Sequence, residues 1–383
     1  MKVLFITYGL SIAGGNRAIF EVANRLSDRG YYVEVLALGG DHSWFDVKVS
    51  VKYLELPKRM RTLLRAYSLI KYLRVKEYKY IDVNTFAKRL GFRVDLIRPL
   101  AEAIPNNFDA AVATYYPTAL SLWLSRHEGL RLYFVQDFPE LASADGHYGL
   151  RLWDLTLRIP FNAFLAVSTY IKNLILERQY NAKILVTGAG VDINVFKPSK
   201  DKLVDVKGKY KVMTIIGSNP WKGADVAIRV LSEVSRKLPI HAILVGDREF
   251  VDLLIKSVKH SFTYTVFSNV PDDLLARLYS SADAFLFTSY VEGFGLPPLE
   301  AMASGTPVVT TDCLGNRDYV IDGVNALVAK PGDVEGLANS LIKILMDEKL
   351  RERLIENGLK TAKQWSWDKV VDKFEEAIKG ESQ

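Results

Sequence analysis

Residues 287–311 read FTSYVEGFGLPPLEAMASGTPVVTT, and this stretch decides the fold of the second half of the chain. An apolar run at 284–288 predicts a buried strand, and the run at 307–311 predicts the next parallel strand. Between them, two prolines begin a helix in its first turn, where a missing N–H is tolerated, and Gly305 ends it. Strand, glycine turn, helix and strand in this order are typical of a parallel α/β sheet.

Two carboxylates flank the start of this helix. Glu292 precedes the helix and Glu300 lies about one turn inside it, so we expect both side chains to face one pocket. Gly293 and Gly295 carry no side chain, so that backbone N–H groups can approach an anionic oxygen closely. Carboxylates accept from hydroxyls and amides hold phosphate, so the stretch fits a polyol that carries a phosphate. The alternative interpretation is that both glutamates are solvated surface residues.

Length and composition indicate an ordinary globular protein. The 383 residues predict two domains, and 49% hydrophobic with 25% charged residues exclude a disordered chain. No apolar run approaches the roughly 18–20 residues of a membrane span, and the first ten residues do not fit a signal peptide. The only cysteine is Cys313, which excludes a disulfide framework and a cysteine-based metal site. We expect a cytoplasmic protein.

The positive charge is concentrated in residues 58–93. Eleven Lys and Arg stand there against Glu77 and Asp82, a local charge of 11 − 2 = +9 in a chain of net charge +6. Apolar residues interleave with the basic ones, which predicts a basic amphipathic helix that docks on an anionic membrane surface or a phosphate-bearing acceptor. A solvated helix face is the alternative. No nucleic-acid-binding motif accompanies the segment, so we expect no nucleic acid partner.

The N-terminal half begins with a strand–loop–helix–strand pattern. Residues 3–7 predict a buried strand, 8–18 a loop that contains Gly14 and Gly15, and the following residues an amphipathic helix. This pattern opens a doubly wound sheet. It is not the GxGxxG fingerprint of dinucleotide-binding units, and no acidic residue ends the second strand. Taken alone, the two glycines fit a plain turn equally well.

A later strand runs into the sequence QDF at 136–138. Ligands bind at the carboxyl ends of strands in open α/β sheets, so Asp137 is a candidate for a polar group near a reacting centre. It fits equally a carboxylate that orders the loop by accepting from backbone N–H groups. Residues 143–150, with His147, predict a loop that closes over an acceptor, although a lone loop histidine is usually just exposed.

The stretch from Glu292 to Val309 resembles the EGFGLPxLEAMAxGxPVV signature of glycosyltransferase family 4, the retaining nucleotide-sugar transferases of the GT-B fold. The resemblance implies two Rossmann-like, doubly wound parallel-sheet domains that face a central cleft. Residues 1–196 form the acceptor side and 197–364 the donor side, and a helix at 365–383 crosses back to the first domain. The stretch 183–198 resembles the family's inter-domain passage, and its Gly188, Gly190 and Pro198 also predict a hinge there.

The activity that the resemblance implies is transfer of a sugar from a nucleoside diphosphate sugar to the hydroxyl of a glycan, lipid-linked or small-molecule acceptor, with retention. In that assignment Glu300 accepts from the ribose hydroxyls and Glu292 from a hydroxyl of the donor sugar. Backbone N–H groups of Phe294, Gly295 and Leu296 meet sugar and phosphate oxygens.

The diphosphate is expected to meet Lys222 and the N–H groups of Gly14 and Gly15. Ser218 stands where the family usually has an arginine, so that Lys222 acts alone or Arg17 replaces the missing charge. Stabilisation of the leaving diphosphate lowers the barrier, and a lysine with helix N-termini does this without a metal ion or other cofactor.

Gln136 stands where the family usually has histidine, and an amide cannot carry a proton. The QDF sequence is similar to that of some bacterial rhamnosyltransferases, so the change does not exclude activity. A catalytically inactive sugar-nucleotide binder remains an alternative because of the missing histidine and arginine. A Rossmann oxidoreductase lacks its fingerprint here, and a sugar-nucleotide 2-epimerase does not fit the signature.

Overall fold

The computed structural model describes residues 1–55 and 96–380. The basic segment 58–93 lies outside the described residues, so its predicted amphipathic helix and membrane contact remain predictions. The chain divides into two compact units, one of Met1–Thr187 with Asp368–Gln383 and one of Gly188–Trp367. The domain boundaries predicted from the sequence lie after residues 196 and 364.

The first unit is built on a seven-stranded parallel sheet in the order β3-β2-β1-β4-β5-β6-β7. Strand order reverses between β1 and β4, and Phe5 of β1 pairs in parallel register with Val35 of β2 on one side and Val112 of β4 on the other. Its elements are β1 (Lys2–Thr7), α1 (Gly14–Asp28), β2 (Tyr32–Ala37), β3 (Ser50–Tyr53), α2 (Ile97–Ala103), β4 (Ala110–Ala113), α3 (Tyr116–Leu124), β5 (Leu130–Val135), α4 (Pro139–Ser143), α5 (Gly146–Thr156), β6 (Ala163–Ala166), α6 (Thr169–Leu176) and β7 (Ile184–Val186).

The second unit repeats the plan with six parallel strands in the order β10-β9-β8-β11-β12-β13. Here the strand order reverses between β8 and β11. Its elements are β8 (Tyr210–Ile216), a 3₁₀ turn (Pro220–Lys222), α7 (Ala224–Ser235), β9 (Ile240–Gly246), α8 (Arg248–Lys256), β10 (Thr263–Phe267), α9 (Asp272–Ser281), β11 (Ala284–Phe287), α10 (Leu296–Ala303), β12 (Val308–Thr311), a 3₁₀ turn (Gly315–Asp318), β13 (Leu327–Ala329), α11 (Val334–Met346) and α12 (Glu348–Gln364).

The fully buried strands β4, β6 and β11 are continuous apolar runs, which is typical of parallel strands that are covered on both faces. Val3, Phe5 and Ile6 of β1 are fully buried, as are Ala284 and Leu286 of β11. The prediction of two doubly wound parallel sheets is therefore confirmed, and so is the strand–helix–strand order of the signature stretch.

The last helix, α13 (Trp367–Lys379), packs on the first unit. The ring of Phe374 lies 6.0 Å from that of Phe5 in β1 and 4.9 Å from that of Phe134 in β5. Arg29 donates to the carboxylates of Asp372 and Glu375 on the exposed side of the same helix. The predicted return of the C-terminal helix to the first domain is confirmed.

Two predicted loops are wrong in detail. Gly14 and Gly15 form the first turn of α1 rather than the preceding loop. The predicted lid at 143–150 is largely helical, and His147 is an exposed residue of α5. Pro139 begins α4 in its first turn, and α5 buries Gly149, Trp153 and Thr156 at helical spacing, so packing of that face outweighs the glycines in the sequence.

Within the described residues, every helix is either too short or too polar to cross a membrane.

Candidate active site

The second unit brings two loops together where β8 and β11 end. The carboxyl ends of neighbouring parallel strands lie at one edge of the sheet, and ligands bind where the strand order reverses. The hydroxyl of Thr288 donates to the carbonyl of Gly223 at 2.9 Å, and the N–H of Tyr290 donates to the carbonyl of Trp221 at 2.7 Å. These bonds fasten the loop after β8 to the chain after β11.

Lys222 and Glu292 meet across this junction. Nζ of Lys222 lies 2.7 Å from Oε1 of Glu292, and the hydroxyl of Ser289 donates to the same oxygen at 2.7 Å. The side chain of Lys222 is 33% exposed and that of Glu292 10%. Both are site residues predicted from different motifs of the sequence, and the structure places them in direct contact.

Two glycines make this contact possible. A Cβ on Gly217 would lie 3.0 Å from Cγ of Lys222, so the glycine leaves room for the lysine stem. Gly223 has φ of 62°, in the left-handed region that favours glycine, and a Cβ there would overlap the carbonyl oxygen of Thr288. The lysine is therefore aimed by a turn that only a glycine completes without strain.

The backbone of Glu292 is held by the turn that follows β12. Its N–H donates to the carbonyl of Cys313 at 3.0 Å. A Cβ on Gly315 would overlap the carbonyl oxygens of Glu292 and Gly293, so the two chain segments lie in close backbone contact. Asn316 donates to the carbonyl of Thr311 at 2.9 Å and fixes that turn on the strand. The sequence gives no signal of this support, since the partners follow two different strands.

The start of α10 is an open helix N-terminus. Gly295 is its N-cap with φ of 86°, no side chain caps the helix, and Pro297 and Pro298 have no N–H. The remaining donors are therefore the N–H groups of Phe294, Gly295 and Leu296, the three that the sequence analysis named. The ring of Phe294 is itself buried, 5.0 Å from that of Tyr319 and 5.4 Å from that of Trp365. This packing fixes the turn, and an anion would be favoured at the helix end.

Glu300 is a buried residue inside α10, not a solvated one. The hydroxyl of Tyr279 on α9 donates to its Oε2 at 3.1 Å. A buried carboxylate needs such donors because burial without them is costly. Tyr279 and Ser289 are the polar partners that sequence reasoning missed, and the only signal for either is a hydroxyl residue close to a predicted strand.

In the first unit, Asp137 is fully enclosed. Its Oδ2 accepts from the N–H of Tyr116 at 2.8 Å, and the hydroxyl of Tyr133 lies 2.9 and 3.0 Å from its two oxygens. Burial raises the pKa of Asp137 to about 7, although these hydrogen bonds act to lower it. The contacts fit the loop-ordering interpretation, and the catalytic role remains a prediction.

Gln136 reaches the N-terminus of α1. A Cβ on Gly15 would lie 3.4 Å from its Oε1, so the glycine and the amide side chain are close neighbours. Gly14 and Gly15 are exposed in the first turn of a helix that has no side-chain cap, and Arg17 follows them on the same helix. In the second unit, Ser218 is exposed beside the loop that carries Lys222. Their roles toward a ligand remain predictions.

Residues 195–361 match the family of glycosyl transferases group 1. This range lies within the second unit and contains Lys222, Glu292 and Glu300. The second unit contains a glycosyl transferases group 1 domain.

Proteins that are similar to this chain are named as glycosyltransferases. The chain is 40% identical over 110 residues to the O-antigen chain mannosyltransferase B of Escherichia coli. That match covers 29% of this chain and 28% of the relative, so the chain spans less than a third of the relative's length in this comparison. It is 24% identical over 396 residues to a D-inositol 3-phosphate glycosyltransferase of Stackebrandtia nassauensis, which covers 95% of this chain and 86% of that protein.

The solved structures show the fold. The crystal structure of Anabaena Alr3699/HepE in complex with UDP-glucose superposes with a TM-score of 0.74 at 18% identity, and the match covers 100% of each chain. Likeness at this identity shows the fold alone. The fold is GT-B, as the resemblance of the signature stretch implied.

Gly223→Ala is expected to destabilise the glycosyl transferases group 1 domain more than Gly208→Ala. Both glycines have positive φ, but no atom of the described residues lies within 4 Å of a Cβ on Gly208. The left-handed backbone alone costs about 1–2 kcal/mol, and overlap with the backbone at Thr288 raises the cost at Gly223 to roughly 3 kcal/mol or more. Urea unfolding of the full chain measures both, and equal losses would contradict the close contact.

Asp137→Asn is expected to change how stability depends on pH. Below pH 3.8, its ordinary pKa, the aspartate is protonated in the folded and in the unfolded protein. Between pH 3.8 and about 7, the folded protein keeps the proton and the unfolded protein does not. The free energy of unfolding therefore falls as pH rises through this window, by a few kcal/mol at about 1.4 kcal/mol per pKa unit. Urea unfolding is measured from pH 4.5 to 8. The free energy of unfolding of the wild type minus that of Asp137→Asn should fall over this range. A difference that is constant with pH would contradict the raised pKa.

Proposed function

We propose that this protein is a retaining glycosyltransferase of family 4, which moves a hexosyl or deoxyhexosyl group from a nucleoside diphosphate sugar to an acceptor hydroxyl. The observation that carries the proposal is the contact between Lys222 and Glu292, 70 residues apart in sequence, at the reversal of strand order in a glycosyl transferases group 1 domain. A cation for phosphate and a carboxylate for sugar hydroxyls thus share one site. The similarity to an O-antigen chain mannosyltransferase and to a D-inositol 3-phosphate glycosyltransferase supports sugar transfer.

Lys222 is the residue that we assign to the leaving diphosphate. Its ammonium has three N–H donors, and one of them is directed at Glu292 in this structure. The negative charge that develops on the diphosphate as the glycosidic bond breaks is stabilised by the remaining donors and by the N-terminus of α10. Backbone N–H groups of Phe294, Gly295 and Leu296 supply further neutral donors.

The two glutamates bind the two ends of the donor. Oε1 of Glu292 is occupied by Lys222 and Ser289, so we assign Oε2 to a hydroxyl of the transferred sugar. Glu300, held by Tyr279, accepts from the ribose hydroxyls. A carboxylate makes charge-assisted hydrogen bonds with hydroxyls, which are about twice as strong as neutral ones.

Positive charge from Lys222 and from helix ends takes the place of a divalent ion in this proposal. Turnover that persists in EDTA is therefore expected. On the side of the acceptor, the charge of residues 58–93 supports a lipid-linked or otherwise phosphate-bearing acceptor at an anionic membrane surface. The QDF sequence at 136–138 is similar to that of some bacterial rhamnosyltransferases, and this similarity supports transfer of a deoxyhexosyl group.

The first experiment finds the donor. A thermal-shift screen against UDP-, GDP-, ADP- and dTDP-sugars identifies the nucleotide sugar that stabilises the protein by binding to its folded state. Hydrolysis of that sugar nucleotide, and its transfer to a candidate acceptor, are then measured. Stabilisation without any release or transfer of sugar would favour the inactive sugar-nucleotide binder. That alternative is considered because the usual histidine and arginine of the family are missing. No shift with any of the four would contradict the proposal.

Lys222→Met and Glu300→Gln are expected to affect different steps. Loss of the Lys222 charge should lower kcat by about a hundredfold, since it acts on charge that develops during transfer. Loss of the Glu300 charge should weaken donor binding by roughly 2 kcal/mol and leave kcat nearly unchanged.

Lys360→Met is the matched control for Lys222→Met. Lys360 pairs with Glu356 at 2.6 Å, but both side chains are exposed on α12, so kinetics like those of the wild type are expected. Unchanged kinetics in Lys222→Met and Glu300→Gln would place the active site elsewhere.

A further inference from the structure

Glu292 is anchored through one of its two oxygens. Oε1 accepts from Nζ of Lys222 and from Oγ of Ser289, each at 2.7 Å. No hydrogen bond from the described residues reaches Oε2. The side chain is therefore held through Oε1, and Oε2 can accept a hydrogen bond from a ligand hydroxyl. A carboxylate held in this way can orient that hydroxyl.

The two donors to Oε1 differ in rigidity. Lys222 carries its ammonium on a flexible four-carbon stem and is one-third exposed. Ser289 is 1% exposed and has a single side-chain torsion before its hydroxyl. Its carbonyl also accepts from the hydroxyl of Thr311 in β12, which ties its backbone to the sheet. Of the two, Ser289 is the donor that stays in place when a ligand arrives.

A diphosphate competes with Glu292 for Lys222. The ligand carries two or more negative charges, and the lysine ammonium is a mobile point charge that follows them. When the lysine turns to the phosphate, Glu292 loses its charged partner while the carboxylate remains buried. A neutral, rigid donor on Oε1 then decides where the carboxylate points.

We propose that Ser289 is a positioning residue for sugar transfer, which holds Glu292 toward the donor sugar while Lys222 serves the diphosphate. This inference rests on the proposed function, because it needs a ligand with both a sugar and a diphosphate. Ser289 acts through Glu292 and is not itself assigned a contact with the ligand. Its effect is therefore confined to the sugar half of the donor.

Ser289→Ala is expected to impair transfer of the sugar without weakening the binding of the nucleotide. With the donor found in the thermal-shift screen, kcat/KM for release or transfer of the sugar should fall about tenfold. The dissociation constant of the matching nucleoside diphosphate, measured by calorimetry, should stay within twofold of the wild type. Ser289→Thr keeps the hydroxyl and should restore most of the lost kcat/KM.

Ser304→Ala is the matched control. Ser304 is also buried in the second unit, at the C-terminal end of α10, but its hydroxyl has no hydrogen-bond partner among the described residues. We expect wild-type kinetics and a melting temperature at least as high as that of Ser289→Ala. A general loss of structure in Ser289→Ala would instead lower the melting temperature and the nucleoside diphosphate affinity together.

The outcomes are distinguishable. If the wild type turns over the donor and Ser289→Ala does so equally well, the positioning role is wrong and the proposed function stands. Equal losses of nucleoside diphosphate affinity and of kcat/KM would also overturn the role, because Ser289 would then support the whole site. A wild type that binds none of the four sugar nucleotides would overturn both the function and the inference.

Discussion

The ion pair between Lys222 and Glu292 is the interaction on which the second unit's site depends. A carboxylate that is nine-tenths buried needs donors, since a buried charge without partners is strongly destabilising. Lys222, Ser289 and the backbone turn after β12 supply that environment. The glycines at 217, 223 and 315 each allow a close contact with another part of the chain that a side chain would prevent.

The parallel topology explains why this pair forms where it does. β8 and β11 are neighbours at the reversal of strand order, so the loops that follow them meet at one edge of the sheet. One loop brings a lysine at the end of a 3₁₀ turn, and the other brings a glutamate ahead of a helix. The first unit uses the same plan between β1 and β4, with α1 and the residues after β5 as neighbours. Each unit thus offers a helix N-terminus and polar side chains at its own sheet edge.

Local structure around the signature stretch was predictable because its signals are local. Apolar runs, two prolines in a first turn and a glycine after the last turn define β11, α10 and β12 without reference to the rest of the chain. The contact of Lys222 with Glu292 was not predictable in this way, since it depends on which strands are neighbours. The hydrogen bonds of Ser289 and Tyr279 to the two glutamates were not predicted for the same reason. Glycines in the first turn of α1 and along α5 suggested loops, where burial of one helix face decided the outcome.

In the proposed function, Lys222 exchanges its partner Glu292 for a phosphate of the donor. A crystal structure of the full chain with the nucleoside diphosphate that stabilises it most tests this directly. We predict a phosphate oxygen within hydrogen-bond distance of Nζ of Lys222, with Glu292 still bonded to the hydroxyl of Ser289. A diphosphate bound away from Lys222, with the ion pair unchanged, would contradict the account.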